Sequence, residues 1–227
     1  MAEGRTTGAF VLVTLAFGSI TLVATADIRL PGNHRGYAPE QPIAFSHRQH
    51  AGELKIDCQY CHYAASKSPN AGIPPTGLCM NCHAHVSAGF DAVLEEREAA
   101  EAEGRDPRRI VSPEIAKLYA ALGLDDDLDP VPGAEPRPVE WIRVHDLADF
   151  VYFDHRPHMA TGVACQTCHG PVQGMERIRQ ETALSMGWCL DCHRKSPAFR
   201  PGEPLPDLTA PLRYRHHVST DCATCHF

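Results

Sequence analysis

Five copies of Cys-x-x-Cys-His, an uncharged N-terminal run of nineteen residues, and 19 prolines with 17 glycines in 227 residues predict one fold class. It is a multihaem cytochrome c: short helices and irregular loops wrapped around five covalent haems, with one N-terminal transmembrane helix. The five copies are Cys58-Gln-Tyr-Cys61-His62, Cys79-Met-Asn-Cys82-His83, Cys165-Gln-Thr-Cys168-His169, Cys189-Leu-Asp-Cys192-His193 and Cys222-Ala-Thr-Cys225-His226, and together they use all ten cysteines. This is the attachment sequence for c-type haem. Two thiols about one helical turn apart form thioethers to the porphyrin's vinyl groups, and the histidine that follows gives the iron its proximal nitrogen. Zinc is the plain alternative, because paired cysteines are also half-sites of zinc modules. Such modules combine pairs two at a time, so five pairs leave one over, and zinc does not require histidine after every second cysteine. Disulfides fail similarly: each pair closed on itself would staple a tiny loop and stabilise little.

Haem also explains the composition. A chain rich in proline and glycine forms little regular structure, and a covalently held apolar plate at each motif supplies the core. The net charge of -7 argues against nucleic acid as a partner, since phosphate binding needs a basic face.

Residues 8–26 carry no charge and would span about 28 Å as a helix, close to a bilayer's hydrocarbon thickness. Ala24-Thr25-Ala26 resembles a signal-peptidase site, but the apolar run exceeds the usual core of about 7–15 residues, so an uncleaved anchor is expected. Arg5 on the cytoplasmic side would place the rest in the periplasm. The expected location is therefore the cell inner membrane, single-pass.

The expected organisation is an anchor over 1–30, a dihaem module over 31–86, a helical and acidic spacer over 87–140 and a trihaem module over 141–227. Pro69, Pro74 and Pro75 make 66–78 a loop. In the spacer, 92–103 is rich in alanine and glutamate and reads as a solvent-exposed helix. Ser112 followed by Pro113 reads as a capped helix start for 115–122. Phe45-Ser-His47-Arg-Gln-His50 before the first motif returns as Phe153-Asp-His155-Arg-Pro-His158 before the third, so the chain contains an internal duplication, extended by the fifth motif.

Nine histidines remain beyond the proximal set His62, His83, His169, His193 and His226. An electron carrier wants two strong axial ligands on each iron, whereas an enzyme acting on a small molecule needs an open position. His47, His50, His155 and His158 are the expected sixth ligands; three apart on a helical turn, the members of each pair can reach different haems. For the fifth iron the candidates are His145, Met175, Met186 and the pair His216 and His217. A methionine there would raise that haem's potential, although a methionine between haem sites also serves as ordinary packing. His34 and His85 read as solvated residues.

The paired Phe-x-His-x-x-His segments are similar to those of the cytochrome c3/c7 class. More specifically, the stretch from Trp141 through Arg143, His145 and Phe153 to His155, the motif from Cys165 to Gly170, and Ser185-Met-Gly-Trp-Cys189-Leu-Asp-Cys-His-Arg194 resemble the membrane-anchored pentahaem cytochrome c subunit of alternative complex III. So do Ile56 to His62 and Cys79 to His83. Ala148 stands where that family is expected to carry proline. The resemblance implies a subunit of a quinol-oxidising respiratory complex. Its partners would be an iron-sulfur subunit, a quinol-oxidising membrane subunit and a monohaem cytochrome or oxidase. Electron transfer without catalysis is the expected role. A membrane-anchored tetrahaem-type quinol dehydrogenase feeding periplasmic reductases, and a multihaem oxyanion reductase with one five-coordinate haem, are the alternatives.

Overall fold

The computed structural model describes residues 34–196 and 218–226. The expected anchor and the pair His216 and His217 lie outside the described residues. Among those described, no helix is long and apolar enough to cross a membrane.

Proline, glycine and the short motifs divide the chain into brief helices: α1 (Cys58–Cys61), α2 (Thr76–His83), α3 (Phe90–Glu103), α4 (Pro113–Ala121), α5 (His155–Ala160), α6 (Cys165–His169), α7 (Met186–Lys195) and α8 (Cys222–Cys225). A π-helical turn, Arg48–Glu53, and a 3-10 turn, Val172–Gly174, complete the set. Several starts are set by side-chain caps that satisfy otherwise unpaired backbone N–H groups. Asp57 accepts from Gln59, Ser112 from Ile115, Asp154 from Arg156, Ser185 from Trp188 and Asp221 from Ala223. Three of these caps, on α1, α7 and α8, lock the turn that carries a Cys-x-x-Cys-His motif. Helix α2 begins at Thr76, directly after Pro75, so the expected loop over 66–78 is three residues shorter than the prolines suggested.

The duplication becomes visible as a mutual grip. Each copy's histidine-bearing turn docks on the segment that follows the first haem motif of the other copy. Arg48 N–H donates to Met175 O (2.9 Å), while Ser46 Oγ and Arg48 Nε both donate to Glu176 (2.9 and 2.8 Å). In the reverse direction His155 N–H donates to Pro69 O (3.1 Å), and His155 Nδ1 lies 2.6 Å from the same oxygen. Pro69 and Glu176 are each seven residues beyond the histidine of their copy's first motif, His62 and His169, so the two contacts are approximate counterparts. Gly52 matters here. A Cβ at that position would lie 2.2 Å from Gln173 O, so only glycine allows the turn to approach so closely. Its counterpart in the second copy is Ala160. Gly52→Ala is expected to cost about 1–3 kcal/mol through overpacking, read as a lower thermal midpoint by calorimetry; an unchanged midpoint would mean the turn does not sit on Gln173.

The segment expected as an acidic spacer is tied to the second motif. Tyr119, fully buried on α4, donates its hydroxyl to His83 O (2.5 Å), and Arg109 donates to Ala84 O (3.1 Å) and to Tyr119 Oη (2.9 Å). Helix α3, expected to be solvent-exposed, turns Glu96 and Ala100 inward. Glu96 receives Arg105, and also the backbone N–H and guanidinium of Arg108. The Arg105 guanidinium, first among these donors, holds the Glu96 carboxyl down at about 2. Gly104, with φ +66°, ends α3 in the left-handed conformation that glycine adopts freely.

The apolar core among the described residues is small: Ala65, Ala100, Leu118, Tyr119, Val144 and Met175. Large apolar side chains instead stand exposed beside the motifs. Tyr60, Tyr63 and Ile73 flank the first, and Phe150 and Tyr152 lie near the fifth.

Candidate functional site

None of the ten cysteines is joined in a disulfide, and each motif places its pair one turn apart on a short helix. Among the described residues no group of three or more His, Cys, Asp or Glu side chains is arranged to hold a metal ion.

The histidines are prepared as ligands by their backbone partners. Nδ1 lies close to a carbonyl oxygen at Gly72 for His62, Val86 for His83 and Ser219 for His193 (each 2.8 Å), and at Phe150 for His226 (3.4 Å). Among the distal histidines, His50 uses Ser46 O (2.8 Å), His158 uses Asp154 O (2.8 Å) and His155 uses Pro69 O. A hydrogen on Nδ1, donated to that oxygen, leaves the Nε2 lone pair for iron and fixes the ring's orientation.

Ring separations test whether a haem iron fits between these residues. An imidazole nitrogen binds a first-row metal at about 2 Å, and a further ~1 Å reaches the ring centre, so two rings facing one iron have centroids roughly 6 Å apart. The rings of His50 and His83 are 6.1 Å apart, those of His158 and His193 6.1 Å, and those of His155 and His169 6.4 Å and parallel to within 4°. The residues therefore fit the group. In the second copy the first histidine faces the first motif and the second faces the second. His50 and His83 follow the same rule, which leaves His47 for His62. Burial, and next the neighbouring His62, push His47 down to about 4, and its Nδ1 is buried without a partner. Burial likewise holds His169 at about 4, with the imidazoles of His145, His155, His62 and His47 acting in the same direction. Neutral imidazole is the form that binds a metal.

His145, one of the axial candidates for the fifth iron, is drawn toward the third motif. It lies beside His169 rather than facing it across an iron-sized gap: the centroids are 4.4 Å apart, the planes are at 80°, and Nε2 is 3.1 Å from His169 Nδ1. That nitrogen is occupied at the edge of the ring away from the ligating Nε2. His34, expected to be solvated, is half-buried and sits 3.4 Å from Asp146 Oδ2. Met175 is buried at 3% exposure in the contact between the copies, whereas Met186 is exposed at the start of α7. At the fifth motif Phe150 stacks on His226 at 5.7 Å.

The thiols give the order of the motifs in space. Burial first, and then proximity to Cys165, raises Cys58; these two are counterparts in the duplication. Cys61 is raised by burial and by Cys79 and Cys82, Cys168 by burial and by Cys192 and Cys189, and Cys189 by burial and by Cys225. Thiols of the first and second, first and third, third and fourth, and fourth and fifth motifs thus lie near one another.

Residues 151–227 match the family model of cytochrome c7 and related cytochrome c. Over that stretch the chain is similar to cytochrome c7. A curated relative, the multihaem cytochrome c subunit of menaquinone reductase from Nitratidesulfovibrio vulgaris, is 27% identical over 130 residues. The alignment covers 57% of this chain and 46% of that protein, so the chain matches under half of the relative's length. The matched stretch takes in the third, fourth and fifth motifs, and Val151 near its start forms an isolated antiparallel bridge with His226 near its end. The first copy, with His47, His50, His62 and His83, lies outside the c7-like stretch.

Proposed function

We propose that this chain is an electron-transfer subunit of a quinol-oxidising respiratory membrane complex, with five covalent c-type haems held at Cys58/Cys61, Cys79/Cys82, Cys165/Cys168, Cys189/Cys192 and Cys222/Cys225. The single observation that carries the reading is the recurrence of opposed imidazole pairs at 6.1–6.4 Å. At those sites His50, His155 and His158 would hold a haem from the side opposite His83, His169 and His193 and would leave no open position, which favours relay over small-molecule catalysis. When bound, haem iron supplies the reversible one-electron change. The protein's own part is to hold the proximal and distal rings by their Nδ1 bonds, so that the coordination geometry changes little with charge, and to set the sites in the order second, first, third, fourth, fifth. His47 and His50, and likewise His155 and His158, each serve two neighbouring sites from one turn and so fix their spacing.

In its finer form the proposal places the chain as the pentahaem subunit of alternative complex III. The subunit would be anchored in the inner membrane by residues 8–26, with its haem domain in the periplasm. It would receive electrons from a quinol-oxidising membrane subunit beside an iron-sulfur subunit and pass them to a monohaem cytochrome or an oxidase. A second reading rests on the relative, whose name describes a menaquinone reductase: electrons would enter through this chain and move toward the quinone. Reduction of the haems by a quinol analogue in isolated membranes supports the first direction; reduction only by a soluble donor supports the second.

The test of the relay is the purified holoprotein. Its mass is expected to exceed the polypeptide's by five haems, and its ferric electron paramagnetic resonance spectrum is expected to be low-spin throughout. A substantial high-spin component that binds cyanide or nitrite would overturn the relay in favour of an enzyme.

A further inference from the structure

The proximal histidines do not all have the same kind of partner. His62, His83, His193 and His226 each direct Nδ1 to a backbone carbonyl, whereas His169 directs it to another imidazole, that of His145. The site holding His145 is built. Val144 beside it is buried at 7% exposure, Arg143 Nε donates to His145 O (3.0 Å), and Asp146 N–H donates to the side-chain oxygen of Gln180 (2.9 Å). Gln180 is itself at 0% exposure and donates through Nε2 to Thr182 O (3.0 Å). Thr182 in turn donates to Cys168 O (2.8 Å), in the same motif as His169. One buried glutamine thus fixes the chain on either side of the imidazole pair.

We propose that His145 is a positioning residue for the third haem site: it accepts the Nδ1–H of His169, increases the donor strength of that ligand, and holds this haem at a lower reduction potential than a carbonyl partner would. This rests on the relay reading, since it assumes a haem at Cys165 and Cys168. The physical reason is basicity. With His169 Nε2 committed to iron, its Nδ1 carries the hydrogen, and a neutral imidazole nitrogen is a far stronger acceptor than an amide oxygen. Partial withdrawal of that hydrogen gives the ligand anionic character, which stabilises ferric over ferrous iron; outer-shell hydrogen bonds of this kind tune metal sites generally. Because the third site joins the two copies, the effect acts at the junction of the relay.

The test uses the holoprotein with His145→Phe, which removes the acceptor and keeps a ring, and His145→Gln, which supplies a carbonyl oxygen in its place. A spectroelectrochemical titration of His145→Phe is expected to show one of the five midpoints raised by about 59 mV, a tenfold change in its one-electron equilibrium, with the spectrum still low-spin. His145→Gln is expected to fall between the variant and the parent. Unchanged midpoints in both variants overturn the proposal. A new high-spin signal overturns it too, because His145 would then be an axial ligand. A parent protein without haem overturns the relay reading itself, and the optical spectrum reports that before any titration.

Discussion

Replacing Cys165 and Cys168 together with alanine is expected to give a protein that carries four haems and whose relay is severed in the middle. Without thioethers the third site loses its covalent hold, and this site joins the two copies, its Cys165 lying against Cys58 of the first. The second and first sites would remain connected to each other, as would the fourth and fifth, through the Cys61 to Cys79 and the Cys189 to Cys225 neighbourhoods. Rapid mixing with a reductant that enters at one end should then show only part of the haem reduced in the fast phase. The contrasting variant replaces Cys222 and Cys225. It also loses one haem by mass, but it removes an end of the series and leaves four connected sites, so a single fast phase persists for those four. Equal behaviour of the two variants would refute the spatial order.

The second large effect is expected from His155→Ala. The variant removes the ring that faces His169 at 6.4 Å and also the side-chain hydrogen bond to Pro69, while the backbone N–H of residue 155 keeps its own bond to that oxygen. One haem in five should convert from low to high spin, seen by electron paramagnetic resonance or magnetic circular dichroism, and added imidazole should restore the low-spin signal by filling the place of the lost side chain. His145→Phe, by contrast, leaves the spin state alone. A fully low-spin spectrum in His155→Ala would remove His155 from the ligand set.

Much of this site was legible in the sequence because covalent haem attachment has a strict local signature. Five motifs, ten cysteines and five adjacent histidines define the attachment points, and Ser112 with Pro113 marked the start of α4 at its observed place. The duplication also singled out His50, His155 and His158, whose rings the structure sets 6.1–6.4 Å from motif histidines. The facing of the two copies was not. A repeat says that two stretches adopt similar structures, while their mutual contact depends on single features such as the missing side chain at Gly52 and the carbonyl of Pro69, which carry no periodic signal. The fastening of 87–140 escaped for the same reason: the apolar spacing of α4 announces a buried face but not that Tyr119 reaches His83 O. His145 illustrates a different limit. One histidine upstream of a motif suggests an axial ligand, and only the structure shows that its Nε2 lies 3.1 Å from Nδ1 of His169, the contact on which the positioning role is proposed.

The reciprocal clasp between the two copies also bears on how the protein is made. During synthesis the N-terminal half emerges first, yet the surfaces that seat Arg48 and Gly52, around Gln173 and Glu176, arrive only with the C-terminal half. On the relay reading, porphyrin attachment at Cys58 and Cys79 would meet a half-open polypeptide, and the two arms would lock only once the later stretch has been delivered.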